Sequence, residues 1–349
     1  MLASLAVNKL GEDGAQGLCG SRAQQRAAQA PDPPRNSVSA VLPCYNARPF
    51  IDRAIDSILA QQGDFLLELI VVDDCSEDGT ADHVRRRYWA DCRVQVLATA
   101  VNGGPGAARN VALGQARGEW IALIDADDAW QPQRLRRMLA AAKPAADLVF
   151  DNLLGYDQHA GCSGGPLFSD LPQPITLLDM VAPPVPGHAF DLGYLKPLVR
   201  RAFLEAGAIC YGPLRANEDL LFYLELLARR PRTRVLGDAL YVYTTQVGHR
   251  SGLPSRHSRT RNDPLATARE LDAWAARNAP ALADAERRAV AARAEGIRRN
   301  HAADQVIGHL HRGEYVLASL AAANRDFLAC CLAGMARRLG LGEPSSSSR

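Results

Sequence analysis

From Ser37 onward the chain alternates short apolar runs with segments of helical period, and each apolar run ends in a polar loop. Residues 38 to 42, 67 to 72, 94 to 98 and 120 to 124 read as strands, and 48 to 62, 80 to 90 and 106 to 117 as helices. A fully buried strand shows a continuous apolar run rather than alternation. This rhythm therefore predicts an α/β fold on a mostly parallel sheet covered on both faces. Beyond Asp151 the rhythm stops, and a stretch punctuated by Pro and Gly up to about 200 predicts loops and short elements around a site. A helix at 216 to 230 and a strand at 235 to 243 follow, then an Ala/Arg/Leu-rich helical stretch from 264 to 340.

Length and composition bound the rest. The 349 residues exceed one small domain but suit a single α/β unit with an extension. A formal net charge of +2 leaves no large basic field, so nucleic acid is not an expected partner. The eight cysteines form no C-x-x-C pair and no zinc spacing, and read as free thiols in a reducing compartment. Lys9, Glu12 and Asp13 interrupt any apolar core of a secretion signal in segment 1 to 30. The expected location is the cytoplasm. Residues 1–36 are expected as a disordered leader, 37–255 as the catalytic domain (a nucleotide-binding half 37–130 and an acceptor-side half 131–255), and 256–349 as a helical extension with a Ser-rich tail.

Ligands of open α/β sheets bind beyond the carboxyl ends of the strands. Four successive loops there are unusual: Pro43-Cys44-Tyr45-Asn46, Asp73-Asp74-Cys75-Ser76-Glu77-Asp78-Gly79-Thr80, Asn102-Gly103-Gly104-Pro105-Gly106 and Asp125-Ala126-Asp127-Asp128. Three carboxylates so close repel unless a cation or hydrogen-bond donors offset them. Mg²⁺ or Mn²⁺, bound through one or two carboxylates plus substrate phosphates, would do so. The plain alternative is a helix cap at Asp128 or a solvated turn; four convergent loops favour the cation. Asp73 and Asp74 stand where a carboxylate would meet donors on a base or ribose. Tyr45 offers a ring for stacking, and Arg109 a partner for phosphate or a base oxygen.

As a set, Pro43-Cys44-Tyr45-Asn46, Val71-Val72-Asp73-Asp74, Gly104-Pro105-Gly106-Ala107-Ala108-Arg109-Asn110 and Asp125-Ala126-Asp127-Asp128-Ala129-Trp130 resemble the nucleotide-binding half of inverting family 2 glycosyltransferases. The resemblance implies the GT-A fold, a Rossmann-like sheet flanked by helices, with a C-terminal helical extension. Asp151-Asn152-Leu153-Leu154, Tyr194-Leu195-Lys196-Pro197 and Leu214-Arg215-Ala216-Asn217-Glu218-Asp219 look like bacterial members that build succinoglycan-type exopolysaccharides. Carried over, the likeness implies that Pro43, Tyr45, Asn46, Asp73, Asp74, Gly104, Arg109, Asp125, Ala126, His249 and Arg250 bind the nucleotide sugar. Asp127 and Asp125 would hold Mn²⁺ or Mg²⁺. Of the acceptor-side pair Glu218-Asp219, Asp219 would be the base, although Ala216-Asn217 stand where many relatives carry a glycine.

The expected reaction is transfer of a sugar from a nucleotide diphosphate, a UDP-sugar by the resemblance, to a hydroxyl on a glycan or lipid-linked acceptor. A single base opposite the leaving group gives one displacement and inverts the anomeric centre. Two rivals stand beside it. A nucleotidyltransferase would need a basic, glycine-rich triphosphate loop, which 43 to 48 is not; a non-catalytic sugar-binding module would not need Asp125, Asp127 and Asp219 together. The structural reading of Glu218-Asp219 is a cap on the following helix. For the apolar, basic-ended segment 327 to 339 the commoner reading is core packing or subunit contact, and the sharper one peripheral membrane contact.

Overall fold

The computed structural model describes residues 36–157, 161–183, 191–245 and 263–311. Its first half follows the alternation: β1 (Ser37–Cys44), α1 (Ile51–Leu59), β2 (Leu66–Asp73), α2 (Thr80–Arg87), β3 (Val94–Ala98), α3 (Pro105–Leu113) and β4 (Trp120–Leu123). All eight residues of β1 and all four of β4 are buried, as strands covered on both faces must be. In α1 the residues Ile51, Ala54, Ile55 and Ile58 recur at helical spacing and are fully buried. Each buried isoleucine there contributes about 1.5–3 kcal/mol. Entry into β4 depends on Gly118, where a Cβ would lie 2.5 Å from the Ser39 backbone nitrogen.

The second half is β5 (Ala129–Trp130), α4 (Arg134–Ala141), β6 (Leu148–Asp157), β7 (Cys162–Pro166), α5 (Leu177–Val181), β8 (Leu198–Arg200), α6 (Arg201–Ala206), α7 (Glu218–Ala228) and β9 (Thr233–Thr245). The strands form one sheet in the order β3-β2-β1-β4-β8-β6-β9-β5, with β7 paired to β6. The β1–β2, β1–β4 and β2–β3 pairs are parallel, so the loops after these four strands open on one edge. β8 runs antiparallel to both β4 and β6, β9 parallel to β6, and β5 antiparallel to β9. The second half of the sheet is therefore mixed, beyond the point at which the strand–helix alternation stops.

The stretch from Asp151 to 200 is also more regular than expected, because β6 runs straight through Asp151 and Asn152. Buried polar groups are tolerated in a strand once their hydrogen bonds are made. Arg134 Nε and Nη2 donate to Asp151 at 2.7 and 2.8 Å with both side chains fully buried, and the Asn152 amide donates to the Phe168 carbonyl at 2.7 Å.

By chain contacts the protein divides into two units, residues 1–180 with 184–261, and 181–183 with 262–349. The second contains α8 (Pro264–Asn278) and α9 (Asp284–His311). Asp263 caps α8 by accepting from the Ala266 amide at 3.0 Å, and Pro264 occupies its first turn. Residues 1–35 of the expected leader 1–36, and the segment 312–349 with the apolar run 327 to 339, lie outside the described residues. Among the described residues no helix is long and apolar enough to cross a membrane.

Removing one partner of a buried, bidentate ion pair strands the other charge at a cost of about 3–5 kcal/mol. Arg134→Met and Asp151→Leu are each expected to lose that much in urea unfolding, while the double variant recovers most of it. Equal, additive losses would show that the pair is not coupled.

Candidate active site

The four loops line one cavity of about 280 Å³ walled by Pro43, Tyr45, Asp74, Gly104, Arg109, Asp125, Ala126, Asp127 and Glu218, together with Phe50, Asn102 and Arg215. Of the sequence-derived candidates, Asn46, Asp73 and Asp219 are not on this wall. His249 and Arg250 lie outside the described residues.

The second and third loops are tied together through Asp74. Its carboxylate accepts from Thr99 Oγ1 at 2.8 Å, the Gly103 amide at 3.0 Å and the Gly104 amide at 2.7 Å. Asp73 faces its own turn, accepting from the Ser76 amide at 3.0 Å. Asn46 likewise braces the turn, since its side chain accepts from the Glu77 amide at 2.8 Å. Gly104 adopts a φ of 86°, and a Cβ there would stand 3.0 Å from Arg215 Cγ. Only glycine takes this conformation without strain.

β9 shapes the fourth loop. Asp128 is buried and accepts from Tyr241 Oη at 2.6 Å and the Thr244 amide at 2.8 Å, while the Asp125 amide donates to Tyr241 Oη at 3.1 Å. Asp128 is thus neither a helix cap nor a solvated turn residue, and the segment after it enters β5 instead. Burial first, then the charges of Asp127 and Asp125, push its carboxyl well above the ordinary aspartate range. The Asp127 carbonyl accepts from Arg53 Nη2 and Thr244 Oγ1, both at 2.5 Å. Burial and the neighbouring Asp125 also raise the Asp127 carboxyl.

At the centre, three carboxylates surround two buried cations. Arg109 reaches Asp125 Oδ1 at 2.5 Å, Glu218 Oε1 at 2.7 Å and Asp219 Oδ1 at 3.2 Å. Lys196 Nζ lies 2.6 Å from Asp219 Oδ2 and 3.1 Å from Asp125 Oδ2. Burial opposes ionisation of Asp125, but Lys196 and Arg109 overcome it and hold its pKa at about 2. Glu218 is raised, by burial and by Asp219. Tyr211 Oη donates to Asp219 Oδ1 at 3.0 Å, and Asn110 fixes Tyr211 by bonding its backbone carbonyl and amide at 2.9 and 2.8 Å. The oxygens of Asp219 are therefore engaged across the site, and the N-cap residue of α7, Asn217, makes no side-chain cap bond.

The family profile for glycosyl transferase family 2 matches residues 39–163. The chain is 32% identical over 194 residues to TuaG, a glycosyltransferase assigned to teichuronic acid biosynthesis in Bacillus subtilis (strain 168), covering 55% of this chain and 72% of that protein. The chain belongs to glycosyl transferase family 2. It is also 39% identical over 221 residues to the succinoglycan biosynthesis protein ExoO of Rhizobium meliloti (strain 1021), covering 60% of this chain but only 61% of that relative's length. Staphylococcus aureus TarS, residues 1–349, in its crystal structure with UDP-GlcNAc, superposes with a TM-score of 0.59 at 25% identity, covering 76% of this chain and 73% of that one. The fold is that of the GT-A glycosyltransferases.

In the sequence Lys196 stands out only as part of the Tyr194-to-Pro197 motif, and nothing local marks Arg53 or Tyr211. A lysine inside the apolar run Leu195 to Val199 was the signal for the first. Gly104→Ala should cost about 1–3 kcal/mol in urea unfolding, through strain at its positive φ and displacement of Arg215. A loss below about 0.5 kcal/mol, the range of ordinary surface changes, would contradict the tight packing of this loop.

Proposed function

We propose that the protein moves a sugar from a UDP-sugar to a hydroxyl of a bacterial surface polymer, glycan or lipid-linked, with inversion at the anomeric carbon. The observation that carries this reading is the single cavity in which the nucleotide-side residues Tyr45, Asp74, Asp125 and Asp127 face the acceptor-side Glu218. The UDP-GlcNAc complex of TarS supports the donor class. Succinoglycan and teichuronic acid, in the names of the relatives, support a surface polymer as the product. The five described cysteines are free thiols, in keeping with a cytoplasmic reaction.

In this reading Tyr45 packs on the uracil, Asp125 meets the ribose, and Asp74 holds the glycine loop against the nucleotide. Asp219 takes the proton of the acceptor hydroxyl as its oxygen bonds to the anomeric carbon. The bond from that carbon to the diphosphate oxygen breaks, and the electron pair leaves with UDP. A second assignment, Glu218 as base, is favoured by its place on the cavity wall and its raised proton affinity.

No cluster of three or more His, Cys, Asp or Glu side chains suited to a metal occurs among the described residues. The residues nonetheless fit Mn²⁺ or Mg²⁺ held mainly by substrate. Asp127 is on the wall beside Asp125, and burial first and then the Asp125 charge raise its carboxyl, so a cation there would offset two neighbouring carboxylates. Asp127, with Asp125 behind it, would hold the ion, and the ion would supply charge stabilisation to the departing diphosphate.

Incubating the protein with a panel of nucleotide sugars and measuring release of free nucleoside diphosphate tests the reading. Release from no donor would overturn it. Asp127→Asn and chelation should each abolish turnover with the fold intact; near wild-type activity after both would remove the metal from the account. Asp219→Asn should lower kcat by ~10²–10⁴-fold and spare UDP binding, with Glu218→Gln milder. The reverse pattern, with an acid limb of the pH–rate profile above the ordinary glutamate range that vanishes in Glu218→Gln, would move the base to Glu218.

A further inference from the structure

We propose that Lys196 is a positioning residue for transfer, its ammonium holding the acceptor-side carboxylate of Asp219 in register with the donor-side carboxylate of Asp125. The inference rests on the glycosyl-transfer reading of the cavity and adds to it a residue that touches neither substrate. Lys196 is not on the cavity wall, whereas Asp125 is. Its side chain is 5% exposed, with Nζ 2.6 Å from Asp219 and 3.1 Å from Asp125.

The stem of Lys196 is anchored at its base as firmly as at its tip. Tyr223 Oη donates to the Leu195 carbonyl at 2.6 Å, and Arg134 Nη2 donates to the Lys196 carbonyl at 2.5 Å. Arg134 is in turn held by the buried Asp151 of β6. Pro197 restricts the Lys196 backbone to extended conformations. The Arg134–Asp151 pair, which is not on the cavity wall, thereby fixes the backbone from which the ammonium reaches.

A buried ammonium must find acceptors for its three N–H donors, and carboxylates are the strongest of these. This one joins two that come from different parts of the chain, the loop after β4 and the first turn of α7. Arg109 spans the same two and also reaches Glu218, but from the cavity wall, where a donor would touch it. Removing Lys196 leaves Arg109 as the remaining cation on Asp125, while Asp219 Oδ2 loses its closest partner. The effect should fall on the transfer step more than on donor binding.

The test compares Lys196→Met, Lys196→Arg and Lys196→Ala with wild type, using UDP release from UDP-GlcNAc for kcat and KM and calorimetric titration of UDP for affinity. Lys196→Met is expected to lower kcat by ~10²-fold or more, with KM and the UDP dissociation constant changing less than about tenfold. Ethylamine should restore part of the Lys196→Ala activity, and Lys196→Arg should retain more than Lys196→Met. A loss confined to KM, an unchanged kcat, or failure of both the amine and the arginine to rescue would overturn the proposal. Should wild type release no UDP, the donor reading fails separately, and carbodiimide coupling of glycine ethyl ester, read by mass spectrometry, decides the positioning role. Greater labelling of Asp219 in Lys196→Met than in wild type supports it, and equal labelling overturns it.

Discussion

Two buried cations, Arg109 and Lys196, hold together three carboxylates that the chain supplies from separate elements. Asp125 comes from the loop after β4, and Glu218 and Asp219 from the first turn of α7. Without the cations these acidic groups would repel one another in a low-dielectric site, and the α7 turn could not approach the sheet edge. The surrounding packing serves this approach. Asn110 of α3 fixes the Tyr211 backbone, Tyr211 stacks on Phe222 of α7 with ring centroids 4.1 Å apart, and its hydroxyl completes the hold on Asp219. The Gly104-to-Asn110 motif is thus as much a device for seating α7 as for meeting a nucleotide.

The donor side is preorganised by a different means. Asp74 closes the glycine loop through two backbone amides, and β9 sets the fourth loop through Asp128, Tyr241 and Thr244. Charges fixed before substrate arrives need no reorganisation during reaction, the condition under which electrostatic stabilisation is most effective. Asp127 differs from its neighbours in combining a place on the cavity wall with a carboxyl pushed up by burial and Asp125, the feature on which the proposed cation rests.

How much of this was legible in the sequence follows from the range of the interactions. β1 to β4 and their loops are set by local apolar runs and turn residues, so the alternation from Ser37 reads correctly, as does the gathering of Tyr45, Asp74, Arg109, Asp125 and Asp127 on one edge. β6 was hidden because Asp151 and Asn152 look like a strand end until Arg134 and Phe168 are seen to satisfy them. Asp128 looked like a cap because its partners, Tyr241 and Thr244, lie more than a hundred residues away in sequence. Arg53 escaped notice for the same reason, since it meets Thr244 across 191 positions. Asp73 and Asn46 were drawn into the site by motif, whereas their side chains brace the turn between β2 and α2.

The central claim is that this one cavity receives the nucleotide and presents it to the Glu218–Asp219 pair. A crystal structure of the protein grown with UDP and Mn²⁺ tests it most directly. The account predicts uracil over Tyr45, ribose at Asp125, and the diphosphate with its ion beside Asp127. UDP bound away from this cavity, or an empty cavity at saturating UDP, would contradict it.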